Sequence, residues 1–175
     1  VHKDVRRTLV PFEAISPYIK NAAVAIEDDQ FYEHRGIKPK AILRAVLVNL
    51  GLREGISGQG GSTITQQVIK NALLSNEKTI TRKVKEWILA VKLERELSKE
   101  AILNLYLNEA PYGGNIYGVE EASQSYFGKK AGDVTLAEAA YLAALPQSPT
   151  RYSPYGNNIE LLEARKDLVL SRMKE

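Results

Sequence analysis

Helix-start signals recur along the chain and constrain its fold more than any other feature. Ser16 and Pro17 supply an N-cap and a first helical position. Ser98 supplies another N-cap, and Thr135 with Glu138 has the spacing of a capping box. Together with apolar residues at helical spacing, these signals predict helices over residues 16–31, 41–52, 62–74, 79–96, 98–109, 119–126, 135–145 and 159–174. No convincing strand pair is visible, so we predict an all-α fold.

Length and composition limit the class of protein. The 175 residues fit one domain, or two small lobes of one unit, and can bury a real core. The net charge of +3 suits a phosphate-bearing partner, but the chain has no basic arm, zinc pattern or aromatic RNA-binding motif, so we expect no nucleic-acid partner. Cysteine is absent, which excludes disulfides and thiol nucleophiles. No apolar run is long enough to cross a bilayer.

One apolar helix and one glycine-rich segment leave alternatives open. The helix over residues 41–52 is apolar nearly all round and suits either the core or insertion at a bilayer surface. Residues 51–61 are rich in glycine and suit a mobile loop or lid beside a site, or a plain connector. In the long helix predicted over residues 79–96, a stripe at helical spacing predicts core positions at Ile80, Val84, Trp87, Ile88 and Val91.

An acidic stretch marks the end of the first helix. Glu27 directly follows the apolar run over residues 22–26, and Asp28, Asp29 and His34 lie close behind it. A carboxylate at the end of an apolar helix can be partly buried, which raises its pKa and suits it to proton transfer near neutral pH. The alternative is a solvated helix end crowded with acidic residues.

Two further polar blocks follow this stretch. Ser62 has the position of an N-cap after glycines, where free backbone N–H groups can bind an anion. Gln67, Lys70 and Asn71 then fall on one helix face, which could bind a sugar or a phosphate or could be only a solvated surface. Residues 82–86 add three cations and a carboxylate.

Together these blocks resemble the peptidoglycan glycosyltransferase family. Glu27-Asp28-x-x-Phe31-x-x-His34-x-Gly36, residues 60–67 (GGSTITQQ) and residues 82–86 (RKVKE) stand in the family's order, and the resemblance runs from about Val10 to the C-terminus. This is the polymerase module of class A penicillin-binding proteins and of monofunctional transglycosylases. The resemblance implies a lysozyme-like all-α fold, with a head lobe and a smaller membrane-associated jaw lobe. One departure is Pro111, where an aromatic residue is commoner.

The resemblance also implies a domain organisation and a cellular location. We expect residues 1–175 to form a single glycosyltransferase domain, with an N-terminal membrane anchor and any C-terminal transpeptidase domain outside this sequence. The enzyme is then expected on the outer face of the cytoplasmic membrane. Its expected partners are lipid II, the growing lipid-linked glycan chain, the membrane surface and other cell-wall synthesis proteins.

The implied reaction joins sugars carried on lipid pyrophosphate. Glu27 acts as the base that activates the acceptor's 4-hydroxyl, which displaces undecaprenyl pyrophosphate with inversion and forms a β-1,4 link. Glu86 is the second catalytic carboxylate, in a supporting role that orients the nearby cations or acts near the pyrophosphate. The resemblance carries substrate contacts to Asp28, Phe31, His34, Arg44, Ser62, Thr63, Gln66, Gln67, Lys70, Asn71, Arg82 and Lys83.

Two finer expectations concern His34 and a metal ion. For His34 a structural hydrogen-bonding role is favoured over general catalysis. A divalent cation, magnesium or manganese, could be held by Asp28 or Glu86 together with the substrate pyrophosphate, although no motif requires one.

Three other functions compete with this interpretation. A lysozyme-like hydrolase would also use two glutamates, but it would not need Lys70, Arg82 and Lys83 opposite the base. A non-catalytic module that binds lipid-linked precursor would be expected to lack a glutamate or the cations. A purely structural domain at the membrane surface explains the apolar helix but leaves residues 60–63 (GGST) unexplained.

Overall fold

The computed structural model describes residues 5–49, 61–73 and 79–175. The helices in these ranges are α1 (Pro17–Glu27), α2 (Pro39–Asn49), α3 (Ile64–Leu73), α4 (Ile80–Glu96), α5 (Lys99–Glu109), α6 (Val119–Phe127), α7 (Leu136–Ala144) and α8 (Ile159–Arg172). A short 3-10 helix, Phe12–Ala14, precedes α1. The predicted all-α class is confirmed. The loop predicted over residues 51–61 lies outside the described residues except for Gly61.

A small sheet is present that the sequence did not predict. Strands β1 (Arg6–Arg7), β2 (Pro111–Gly113) and β3 (Ile116–Tyr117) are arranged in the order β1-β3-β2. β1 is parallel to β3, and β2 is antiparallel to β3. The prediction of no strand pair was therefore wrong. Strands of two or three residues are too short for an alternating pattern to be visible.

Helix α1 lies at the centre of the core. Its buried residues Ile19, Ala22, Ala23 and Ile26 follow the i, i+3, i+4, i+7 spacing of one helix face. α1 packs against α7 and α8, while α3 packs against α4 and α5. The residue after α1, Asp28, accepts a hydrogen bond from the backbone of α3. The C-terminal end of α1 is therefore where these helix groups meet.

Side-chain caps fix where the helices begin. The predicted caps Ser16, Ser98 and Thr135 each accept a backbone N–H, and Thr135 with Glu138 forms the complete capping box. These caps explain why the predicted helix starts agree closely with the structure.

The predicted cap of α3 was wrong by one residue. Thr63, not Ser62, caps this helix: the Thr63 hydroxyl accepts from the Gln66 N–H at 3.1 Å, and Gln66 Oε1 accepts from the Thr63 N–H at 2.7 Å. This reciprocal pair is a capping box with glutamine as its third helical residue. Ser62 is consequently available to other partners.

The apolar stripe on α4 faces outward. Ile80, Val84 and Ile88 are 85%, 40% and 57% exposed, whereas the buried positions of this helix are Glu86 and Ala90. The prediction that these three residues belong to the core was wrong; Trp87 and Val91 are half-buried. Periodicity shows that residues share a face but does not show what covers that face. On α2, Leu43 is also exposed.

Gly36 offers a test of how closely the segment after α1 packs on α4. Its φ of +90° favours glycine, and a Cβ there would lie 2.7 Å from the Ala90 carbonyl oxygen. We expect Gly36→Ala to lower the free energy of unfolding by about 3 kcal/mol or more, because strain and overlap add. Urea denaturation measures this loss.

Gly128→Ala is the matched control. Gly128 also has a positive φ, +63°, but no atom lies within 4 Å of the position that an added Cβ would take. Only backbone strain remains there, so the expected loss is about 1 kcal/mol. Equal losses for the two variants would contradict the close packing of Gly36 on α4.

Candidate active site

Glu27, the last residue of α1, is held at both carboxylate oxygens. Gln67 Nε2, on α3, donates to Glu27 Oε2 at 3.0 Å. Arg165 Nη2, on α8, donates to Glu27 Oε1 at 3.1 Å. The side chains of Glu27 and Arg165 are 9% and 10% exposed. One carboxylate is thus fixed by three helices that are distant in the sequence.

Burial has the largest effect on the pKa of the Glu27 carboxyl. Removal from water raises the pKa of its carboxyl above the ordinary value of 4.5. The hydrogen bond from Gln67 and the charge of Arg165 oppose this shift without cancelling it, and the neighbouring Asp28 adds to it. A carboxylate with a raised pKa is a stronger base than an exposed glutamate, which suits proton abstraction near neutral pH.

Two pockets meet at Glu27. The first, here called the Arg44 pocket, has a volume of about 250 Å³. Its lining includes Glu27, Asp28, Lys38, Arg44, Ser62, Arg165 and Arg172. The second, the Lys70 pocket, has a volume of about 190 Å³. Its lining includes Glu27, Ser62, Gln66, Gln67, Lys70, Asn71, Glu86 and Tyr106. Glu27 and Ser62 belong to both linings. Several cations line the Arg44 pocket, and one, Lys70, lines the Lys70 pocket.

Most of the predicted site residues line these pockets. The structure brings Glu27, Asp28, Arg44, Ser62, Gln66, Gln67, Lys70, Asn71 and Glu86 to one or both of them. It does not bring Phe31, His34, Thr63, Arg82 and Lys83 to either lining. Phe31 is fully buried in the core, with Lys99 Nζ 4.6 Å from its ring centroid. The predicted direct contact of Phe31 with substrate therefore does not fit its position.

Asp28, the residue after Glu27, connects the end of α1 to the start of α3. Its carboxylate accepts from the Ile64 N–H at 3.0 Å, contacts His34 Nε2 at 2.8 Å and pairs with Lys38 Nζ at 2.7 Å. Burial by itself would raise the pKa of Asp28, but the hydrogen bonds from His34 and Lys38 outweigh it and lower the pKa. Asp28 is therefore an ionised anchor for the start of α3.

His34 and Thr63 serve the same scaffold. His34 Nδ1 accepts from the Gly36 N–H at 3.0 Å while Nε2 faces Asp28. The Thr63 hydroxyl donates to the Gly36 carbonyl at 2.6 Å. Both ring nitrogens of His34 are thus engaged within the protein, in agreement with the structural role favoured from the sequence.

Lys83 connects Ser62 with Glu86. Lys83 Nζ donates to Ser62 Oγ at 3.0 Å and forms a short ion pair with Glu86 Oε1. Glu86 is 1% exposed, and within the described part of the chain its Oε2 atom has no hydrogen-bond partner. Of the three predicted pyrophosphate-binding cations, Lys70 alone lines the Lys70 pocket. Lys83 instead positions two residues of its wall.

The residues offer limited support for a bound metal. No group of three or more His, Cys, Asp or Glu side chains in residues 5–49, 61–73 and 79–175 could hold an ion. The Asp28 carboxylate is already occupied by Lys38, His34 and the Ile64 N–H. Glu86 Oε2 is the better donor of the two predicted carboxylates, because it is unpartnered and its residue lines a pocket.

Arg165 is the main site residue that sequence reasoning missed. It also donates to the Ala144 carbonyl through Nε and lies 5.3 Å from the Tyr152 ring centroid. Its position in α8 carries a usable signal: it follows buried Leu162 by three residues and precedes buried Val169 by four. A cation on the buried face of a helix requires a partner, but the sequence does not identify Glu27 as that partner.

Comparisons with known proteins show which family this chain resembles. The family model described as transglycosylase matches residues 1–174. The chain is 48% identical over 170 residues to penicillin-binding protein 1A of Aquifex aeolicus, covering 97% of this chain and 23% of that protein. It is 45% identical over 168 residues to penicillin-binding protein 1A of Escherichia coli, covering 96% and 19%.

The chain thus spans about a quarter or less of the length of these curated relatives. The family match confirms the predicted resemblance, the lysozyme-like all-α class and the expectation of a glycosyltransferase. The chain belongs to the transglycosylase family.

Proposed function

We propose that this chain polymerises lipid II into glycan strands by an inverting transfer that forms β-1,4 links and releases undecaprenyl pyrophosphate. The observation that carries the proposal is the position of Glu27, whose buried carboxylate lines two separate pockets. A transfer between two sugars needs an acceptor hydroxyl and a donor anomeric carbon next to one base, so it needs a site on each side of that base.

The charges of the two pockets fit two lipid pyrophosphates. The Arg44 pocket contains Lys38, Arg44 and Arg172 in its lining, and the Lys70 pocket contains Lys70. In polymerisation both the acceptor and the donor carry a pyrophosphate, so both sites need cations. A hydrolase would use water as its acceptor and would need no cation in a second pocket, so the presence of Lys70 favours transfer over hydrolysis.

The side chains suggest a role for each pocket. We place the donor in the Lys70 pocket, where Lys70 would stabilise the charge on the departing pyrophosphate. The acceptor lies in the Arg44 pocket with its 4-hydroxyl against Glu27. Glu27 takes the hydroxyl proton as the oxygen attacks the anomeric carbon from the face opposite the leaving group. The configuration at that carbon is therefore inverted.

The remaining residues position these groups. Gln67 and Arg165 hold the carboxylate of Glu27 in one orientation. Glu86 holds Lys83, which in turn holds Ser62 at the boundary of the two pockets. A divalent cation would be held by Glu86 Oε2 together with pyrophosphate oxygens, where it would neutralise charge on the leaving group.

Replacement of the base tests the assignment most simply. Incubated with purified lipid II in detergent, the wild-type chain is expected to yield a ladder of glycan products that can be separated by size. Glu27→Gln keeps a side chain of similar size but cannot accept the proton. We expect it to lose at least about 100-fold in rate, the usual contribution of a general base.

Glu160→Gln is the control for this experiment. Glu160 lies exposed in the first turn of α8, outside both pockets, so its replacement should leave the rate unchanged. A near-normal rate for Glu27→Gln would disprove the base assignment. Short soluble sugars from preformed glycan, with no polymer from lipid II, would identify a hydrolase instead.

We also propose that the exposed stripe of α4 faces the membrane that carries the substrate, on its periplasmic side. None of the helices in the described ranges is both long and apolar enough to cross a bilayer. Ile80, Val84 and Ile88 nevertheless present an apolar surface on α4. Such a surface next to cations is suited to binding at the lipid interface.

Vesicle binding tests the orientation of α4. We expect Ile80→Ser combined with Ile88→Ser to weaken binding to phosphatidylglycerol–phosphatidylethanolamine vesicles at least about tenfold, because two exposed apolar side chains no longer enter the interface. Sedimentation with the vesicles measures this change. Leu105→Ser combined with Leu136→Ser, which alters exposed residues of α5 and α7, is the control. Equal effects of the two pairs would contradict the proposed orientation.

A further inference from the structure

Tyr106 is buried in α5, and its hydroxyl group has no hydrogen-bond partner among the described residues. The residue is 2% exposed. Across the described ranges of the chain, Tyr106 Oη has no hydrogen-bond partner. By contrast, Tyr126 donates its hydroxyl to the Tyr112 carbonyl at 2.7 Å, and Tyr141 donates to Glu163. A buried hydroxyl without a partner is unfavourable and calls for an explanation.

The position of Tyr106 points to the active site. Tyr106 lines the Lys70 pocket together with Glu27 and Glu86. Burial raises the pKa of its hydroxyl well above 10, and the negative charge of Glu27 raises it further. Tyr106 therefore remains protonated and can act as a hydrogen-bond donor beside the base without competing for the proton that Glu27 accepts.

Glu86, which lines the same pocket, also has a polar atom without a hydrogen-bond partner among the described residues. Glu86 Oε2 is buried and accepts no hydrogen bond from any described residue. Tyr106 offers a donor, and in the metal-free site Glu86 Oε2 offers an acceptor. A sugar ring carries neighbouring hydroxyl groups that both accept and donate, so it satisfies both atoms. A fully ionised phosphate would accept from Tyr106 but could not donate to Glu86.

We propose that the Tyr106 hydroxyl donates a hydrogen bond to an oxygen of the sugar bound in the Lys70 pocket. Tyr106 is then a substrate-binding residue that orients the donor sugar beside Glu27. This inference rests on the proposed function, because it takes the occupant of the Lys70 pocket to be a sugar. No proton leaves Tyr106 at any step.

Tyr106→Phe separates this role from a structural one. The variant keeps the ring in the core and removes only the hydroxyl. Because that hydroxyl has no partner within residues 5–49, 61–73 and 79–175, we expect Tm to stay the same or rise. With lipid II as substrate, we expect kcat/KM to fall about tenfold or more. Affinity for lipid II, measured by titration in the non-reacting Glu27→Gln background, should fall at least about fivefold.

Tyr126→Phe is the matched control. It removes a hydroxyl that makes a hydrogen bond within the protein and lies outside both pockets. We therefore expect a lower Tm and an unchanged kcat/KM, which is the opposite pattern to that of Tyr106→Phe.

Two results would overturn the inference. One is Tyr106→Phe with wild-type kcat/KM and wild-type affinity for lipid II. The other is a fall in Tm like that of Tyr126→Phe, which would show that the hydroxyl stabilises the fold. Failure of the proposed function is distinguishable, because the wild-type chain would then form no polymer. If the wild-type chain binds lipid II without forming polymer, weaker binding of lipid II by Tyr106→Phe but not by Tyr126→Phe would still support the sugar contact.

Discussion

The burial of one carboxylate determines how this site can work. Glu27 ends the central helix α1, so the same packing that forms the core removes its side chain from water. Burial raises its pKa, while Gln67 and Arg165 keep the group oriented and moderate the shift. A stronger interaction with Gln67 or Arg165 would lower the pKa of Glu27 and make it a weaker base. If both partners were removed, its carboxylate would be less firmly positioned.

A second, fully ionised carboxylate makes that arrangement rigid. Asp28 joins the end of α1 to the start of α3 through the Ile64 N–H, and through His34 it reaches the segment that contains Gly36. Gly36 in turn lies against the Ala90 carbonyl of α4. Asp28 and Glu27 therefore have different roles because their environments differ. The charge of Asp28 is balanced by its partners within the protein, whereas Glu27 lines the junction of two pockets.

Sequence reasoning predicted the parts of this structure that local chemistry determines. Helix starts followed from hydroxyl caps, and Glu27 was singled out because an apolar helical run ends at it. Its role as the base was assigned with the help of the family resemblance. Features that depend on distant partners were not predictable. Arg165 lies 138 residues from Glu27, the two-residue strands have no visible pattern, and the stripe containing Ile88 has the spacing of a core face although it is exposed. For such residues, spacing identifies the face but not its neighbour.

The proposed role of Glu27 as the base depends on its raised pKa, which NMR can measure directly. The chain would be labelled with ¹³C at the glutamate carboxyl groups, and the Glu27 signal would be assigned by its loss in Glu27→Gln. We expect a titration midpoint above 4.5 for the wild-type chain, and a higher one in Gln67→Leu because a hydrogen bond that lowers the pKa is lost. A wild-type midpoint at or below 4.5 would contradict this expectation.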